Sequence, residues 1–225
     1  MMKTAFQVAT TSVLSLALIA LTLFWPAGTI HYWQAWVFFG MFVGLSAIFT
    51  AYVGVRNPDV LRRRMNAGPQ HETRPVQKIV SAAVVLAFFA VPVVSGLDHR
   101  FGWSDVPTAL VLFGNVIAAV GLGIGMLVVA QNSYAAANIT VEADQTVVST
   151  GLYGLVRHPM YFGVLVMLIG VPLALGSYWA LVLVPIDAVL FAIRIFDEEK
   201  ALTEELHGYR EYAETVHSRL VPGVW

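Results

Sequence analysis

The sequence predicts an all-α integral membrane protein of about six membrane helices, ending in a C-terminal helical hairpin and a cytoplasmic C-terminal helix. Three observations predict it. Of its 225 residues, 58% are hydrophobic and 12% charged, against about 45–50% and about 25% in an ordinary soluble domain. Charges are absent from 4–55, 79–97, 106–141 and 158–186, and roughly 20 apolar residues suffice to cross a bilayer core as a helix. Nearly all positive charges also fall on one predicted side. This composition excludes a soluble enzyme, a disulfide scaffold and a disordered tail. With no cysteine, a thiolate nucleophile and a Cys-ligated metal are excluded too. The net charge of −1 says little about partners.

Apolar runs between turn signals place helices at 8–25, 32–55, 79–97, 107–130, 160–175 and 178–196. The first follows Met1-Met2-Lys3, yet it is too long for a signal peptide and Pro26-Ala27-Gly28 lacks a small-x-small cleavage site, so it reads as a retained anchor. On the fourth, Gly121-Leu122-Gly123-Ile124-Gly125 follows no strand and reads as close helix packing, not as a phosphate loop. Pro159 suits the first position of the fifth helix, with His158 as its cap. Only Gly176 and Ser177 separate the last two helices, which form a tight hairpin.

On the sixth helix Asp187, Arg194 and Glu198 share one stripe at about 100° per residue, while Glu199 points elsewhere. An ionised group at mid-membrane costs roughly 2.5–3.5 kcal/mol unless paired or hydrated, so the stripe should face the bundle interior or an aqueous cavity. Asp187 is expected in an internal salt bridge with Arg194, and Arg194, nearer the polar end, is the better functional candidate.

A cytoplasmic N-terminus puts every Lys and Arg except Arg100 inside, so both termini are expected in the cytoplasm, at a bacterial inner (plasma) membrane. Trp25, Tyr32, Trp33, Trp36, Trp103, Tyr178 and Trp179 then sit at outer helix ends, where amphipathic rings favour the headgroup layer. The polar chemistry gathers in 56–78, 131–159 and 197–225. In the first of these, Arg62-Arg63-Arg64 reads as an anchor on anionic lipid. Asn138-Ile139-Thr140 is a glycosylation sequon on a cytoplasmic loop and inert there. His31, His71, His99 and His207 lack metal-ligand spacing, so no metal site is expected, and no nucleic-acid module is recognisable.

Arg157-His158-Pro159-Met160-Tyr161, the hairpin, Arg194-Ile195-Phe196-Asp197-Glu198-Glu199 with Leu202, and Tyr209-Arg210-Glu211-Tyr212 followed by Val216, Arg219 and Pro222 form a combined pattern. Over about 131–225 it resembles the C-terminal core of the isoprenylcysteine carboxyl methyltransferase family, shared more loosely with phospholipid methyltransferases. The chain then reads as one membrane domain, with 107–225 the methyltransferase core and the helices of 1–97 outside the signature. The resemblance implies S-adenosylmethionine as methyl donor and a lipophilic acceptor, a carboxylate favoured, entering from the bilayer among membrane lipids. It further implies that Gln145, Thr146, Val147, Val148, Tyr153, His158, Pro159, Met160, Tyr161 and Glu198 line the cofactor and that Arg194 meets the substrate. Gln145 stands where the family often has His, and Gly151-Leu152-Tyr153-Gly154 replaces Gly-Pro-Tyr-Arg. Alternatives within methyl transfer are a phospholipid N-methyltransferase and a thiol S-methyltransferase. Outside it stand an NADPH-dependent steroid-type membrane reductase, which shares an Arg-His-Pro-x-Tyr stretch, and a non-enzymatic scaffold.

Overall fold

The computed structural model describes residues 2–57, 60, 72, 75–135 and 145–225. The expectations for Arg62–Arg64, His71 and the Asn138 sequon lie outside the described residues. Those described form α1 (Met2–Ala27), α2 (Trp33–Arg56), α3 (Pro75–Phe101), α4 (Thr108–Gln131), a 3-10 turn (Gly151–Gly154), α5 (Pro159–Ala174), a second 3-10 turn (Trp179–Leu183), α6 (Val184–Glu205) and α7 (Tyr209–Thr215), with no strand among them. Every expected helix is present. Among the described residues five spans, on α1 to α4 and on the second 3-10 turn with α6, are long and apolar enough to cross a membrane. The sixth, α5, has 16 residues, about 24 Å of helix, short of a bilayer core of about 30 Å. α6 runs nine residues past the expected 196, because Asp197 to Glu205 continue the helix beyond the apolar stretch.

The hairpin turn is built by local chemistry. Gly176 adopts φ +71°, its N–H donates to Leu173 O at 3.0 Å and the Ser177 N–H to Pro172 O at 2.9 Å. That is the paired-bond stop in which a left-handed residue, most cheaply glycine, closes a helix. At the same end Asp98, 1% exposed, accepts the Ser104 N–H and hydroxyl at 2.7 Å each and the Ser177 hydroxyl at 2.5 Å. One carboxylate thus ties the end of α3 to the α3–α4 connection and to the hairpin turn between α5 and α6.

α5 packs chiefly along α4, more than on its hairpin partner α6. The faces in contact carry Gly114, Ala118 and Gly121 on α4 against Gly163, Gly170 and Ala174 on α5: a methyl on Gly121 would meet Gly163 O at 2.5 Å and one on Gly170 would meet Gly114 O at 2.7 Å. The expectation of close packing therefore holds for Gly121, whereas Gly123 and Gly125 have open space beside them. The apolar core runs through Leu23, Tyr32, Phe38, Val91, Leu168 and Phe191.

Of the aromatic residues expected at the outer interface, Trp25, Trp33, Trp36, Trp103, Tyr178 and Trp179 are exposed. Tyr32 is not. It is fully buried, stacked on His99, with its hydroxyl donating to Leu175 O at 2.5 Å, so it pins the hairpin turn to α2 and α3 and anchors nothing in the headgroups.

Candidate active site

A cleft of about 830 Å³, counted to its open mouth, lies at the end of the bundle where α4 stops, α5 starts and α6 runs out. Its local framework comes from short polar bonds. Gly151, at φ +62°, opens the 3-10 turn, where the Leu152 N–H donates to Gln131 Oε1 at 3.0 Å. Tyr153 on this turn accepts from Asn132 Nδ2 at 3.1 Å, and its carbonyl accepts from the Tyr212 hydroxyl at 2.7 Å. The next segment is strapped to the C-terminus: Arg157 N donates to Ser218 O and His158 N to Arg219 O. Pro159 then starts α5 with His158 at the N-cap, although the His158 side chain makes no capping bond.

The adjacent carboxylates Glu198 and Glu199 point to different places, as their roughly 100° separation on α6 requires. Glu198 lines the cleft, and its Oε2 accepts the Tyr161 hydroxyl at 2.6 Å. Glu199 turns to the C-terminal strap, where Oε1 meets Arg157 Nε at 2.7 Å and His158 Nε2 at 3.3 Å, and Oε2 meets Arg219 Nε at 2.8 Å. Arg157 also donates to Ala213 O and Val216 O.

All ten residues expected to line the cofactor do line this one cleft: Gln145, Thr146, Val147, Val148, Tyr153, His158, Pro159, Met160, Tyr161 and Glu198. Asn132, Tyr134, Arg157, Leu202, Leu206, Tyr209 and Tyr212 line it as well. The pattern Tyr209-x-x-Tyr212 was visible in the sequence, but nothing there showed that α7 folds back as a wall. The Tyr209 hydroxyl is buried without a hydrogen-bond partner among the described residues. Burial pushes the Tyr153 phenol up to about 12, with the nearby Glu198 adding to the rise, and burial likewise raises Tyr209 and Tyr212. All three stay protonated and able to donate at neutral pH.

Arg194 stands behind this wall. It is 4% exposed and meets the cleft wall at Tyr161, to whose oxygen its Nε donates at 2.9 Å. Its Nη1 donates to Gln77 Oε1 at 2.9 Å and to the Ser81 hydroxyl at 2.5 Å, and its Nη2 to Glu72 Oε1 at 2.8 Å. The expected salt bridge between Asp187 and Arg194 does not form. Seven residues put them about 10.5 Å apart along the helix, and the guanidinium pairs with Glu72 instead. Asp187 is fully buried with neither oxygen hydrogen-bonded among the described residues.

Residues 109–204 match the profile of the isoprenylcysteine carboxyl methyltransferase (ICMT) family. The matched stretch runs from α4 through nearly all of α6 and makes this core similar to that family. The family is one of methyltransferases, and helices among the described residues are long and apolar enough to cross a membrane. No curated protein matches the sequence. Among solved structures, the eukaryotic intramembrane Ras methyltransferase ICMT (isoprenylcysteine carboxyl methyltransferase) is similar at 15% identity and a TM-score of 0.48, over 96% of this chain and 86% of that one.

Proposed function

We propose that this chain transfers a methyl group from S-adenosylmethionine to a lipophilic acceptor, a carboxylate in preference to an amine or thiol. The observation that carries the reading is the convergence of the ten motif residues on one cleft with both polar and apolar lining. The donor set fits. The sulfonium donor brings a positive charge and a transferable methyl; Glu198 supplies a carboxylate and Tyr209 and Tyr212 aromatic rings, both of which attract a cation. Gln145, Asn132, Tyr153 and the unpartnered Tyr209 hydroxyl offer hydrogen bonds to a polar ligand, and Val147, Val148, Leu202 and Leu206 offer apolar cover.

A second cavity supports the acceptor's greasy character. About 1350 Å³ when counted to its open mouth, it lies between α1, α2, α4 and α5, lined among others by Phe42, Phe49, Leu122, Met126, Val164 and Met167. Met160 lines both it and the polar cleft, so a tail lying among the helices could present its head to the donor past one flexible side chain. A carboxylate acceptor is ionised at neutral pH and needs no base. What it needs is orientation and exclusion of water, and a guanidinium holds a carboxylate through paired hydrogen bonds, which makes Arg194 the candidate. An amine would instead draw on Glu198. The excess of Lys and Arg beside this end argues for a cytoplasmic cleft and cytoplasmic termini.

The test is calorimetry of the detergent-purified protein with S-adenosylhomocysteine and with NADPH, followed by radiolabelled methyl transfer to a prenylcysteine carboxylate and to phospholipid vesicles. Binding of the sulfonium product and labelling of the carboxylate are expected. Binding of NADPH alone would sink the reading, and labelling of phospholipid alone would move the acceptor atom to nitrogen.

A further inference from the structure

The Arg194 guanidinium already holds a carboxylate, that of Glu72. The pair is buried, with side chains 5% and 1% exposed and 2.8 Å between Nη2 and Oε1. Ser81 joins both partners, donating to Glu72 Oε1 at 2.9 Å and accepting from Arg194 Nη1. Gln77 completes the socket: its Oε1 accepts from Arg194 and its Nε2 donates to Asp197 Oδ2 at 2.7 Å. On the other side, the Arg194 Nε bond to the Tyr161 oxygen leaves the Tyr161 proton for Glu198. A continuous chain, Glu72–Arg194–Tyr161–Glu198, therefore runs from the socket to the cleft wall.

We infer that Glu72 is a resident stand-in for the acceptor carboxylate, a positioning residue that sets the affinity of Arg194 for an anionic acceptor by occupying it between turnovers. The inference rests on the proposed carboxylate reaction. A guanidinium buried this deeply cannot be left without a counter-charge, because breaking one partner out of a buried pair is strongly unfavourable. Glu72 supplies that charge. An acceptor carboxylate bound beside Glu72 would put two anions on one cation, whereas one that takes its place exchanges carboxylate for carboxylate and leaves the buried charge unchanged. The exchange also keeps the Nε edge of Arg194 on Tyr161, so Glu198 retains its orientation while the acceptor binds. The acceptor then competes with a tethered carboxylate at high effective concentration, which raises its KM without touching the chemical step. A neutral or cationic acceptor gains nothing from displacing Glu72, so the device favours anionic acceptors.

The experiment uses the full chain in detergent micelles, with S-adenosylmethionine and an N-acetylated, S-isoprenylated cysteine as the carboxylate probe. Glu72→Gln keeps the shape of the side chain and removes its charge. We expect the KM for the probe to fall by roughly threefold to tenfold, the scale of one ordinary net hydrogen bond, with kcat and the affinity for S-adenosylhomocysteine unchanged within about twofold. Ser81→Ala loosens Glu72 while leaving both charges in place; it should lower KM in the same direction by a smaller factor, and it serves if Glu72→Gln does not fold. A brace with no competitive role predicts the reverse: a raised KM or a lowered kcat, together with weaker binding of S-adenosylhomocysteine. That result in a parent enzyme that does methylate the probe overturns the role of Glu72 and leaves the reaction standing. A parent that methylates no carboxylate overturns the reaction first, and the inference with it.

Discussion

Tyr161 donates its hydroxyl proton to Glu198 at 2.6 Å, and this bond joins the first turns of α5 to the last turns of α6 across the floor of the cleft. Because the same oxygen accepts from Arg194, the direction of the Tyr161 hydroxyl is fixed. Glu198 is held by a donor that cannot turn away: Tyr161 reaches it from α5, and Arg194, one turn earlier on α6, fixes that hydroxyl.

Tyr161→Phe should therefore weaken the affinity for S-adenosylhomocysteine by about tenfold, the lower end for a hydrogen bond to a charged group. Glu198→Ala, which removes the carboxylate itself, should abolish binding. Titration calorimetry on the two variants and the parent reads both; a Phe variant that binds like the parent would show that the hydroxyl does not position Glu198.

Arg194→Lys keeps the positive charge that Glu72 requires but loses the planar fork and the Nε bond to Tyr161. Binding of S-adenosylhomocysteine should stay within a few-fold of the parent, while kcat for a carboxylate acceptor falls by about a hundredfold, the cost of a small misplacement of reacting groups. Loss of donor-product affinity as large as the loss in kcat would place Arg194 in the cofactor site instead.

The helices and the lining of the cleft were legible in the sequence for different reasons. Charge-free runs mark helices because lipid excludes ions, and Gly176-Ser177 and Pro159 mark ends because backbone geometry demands them. The residues of 145–161 came from the family resemblance, and the fold gathers them along one cleft. The socket of Arg194 was not legible. Glu72, Gln77 and Ser81 lie more than 110 residues from it in the chain, and no period or spacing links a carboxylate in one polar stretch to an arginine in another. Tyr32 misled for a related reason: an aromatic residue at a helix end resembles an interface anchor until the hairpin turn is packed over it. The helix contact was half legible, since Gly121 was read correctly. The seven-residue spacing of Gly114 to Gly121, and of Gly163 to Gly170, is the true signal of the face.

That spacing makes a controlled comparison possible. Gly121→Ala drives a methyl into the backbone of α5 at Met167 and Gly163, whereas Gly123→Ala meets nothing within 4 Å. Overpacking of this kind costs about 1–3 kcal/mol, while Gly to Ala in an open helical position gains about 1 kcal/mol of helix propensity. Thermal unfolding in detergent should thus move in opposite directions for two substitutions on one helix, two residues apart. A matching drop in both would mean that α4 and α5 do not meet along the glycine face.

Glu199 offers the sharpest separation of structure from binding, because it sits next to Glu198 and yet serves the strap. Three side chains, from Arg157, His158 and Arg219, converge on its two oxygens, and the strap they hold includes the backbone bonds from 157 and 158 to 218 and 219. Glu199→Gln removes the shared counter-charge and leaves Arg157, 7% exposed at its side chain, facing neutral groups. Arg219 is 32% exposed and can turn to water, so the cost should be near the low end for a broken buried pair, about 3 kcal/mol. The expected outcome is a lower unfolding temperature and faster tryptic cleavage after Arg219. Binding of S-adenosylhomocysteine should survive below the new transition, since Glu198 and Tyr161 keep their bond. If binding vanished while the strap remained resistant to trypsin, Glu199 would belong to the cleft, and the division of labour between the two adjacent carboxylates would be wrong.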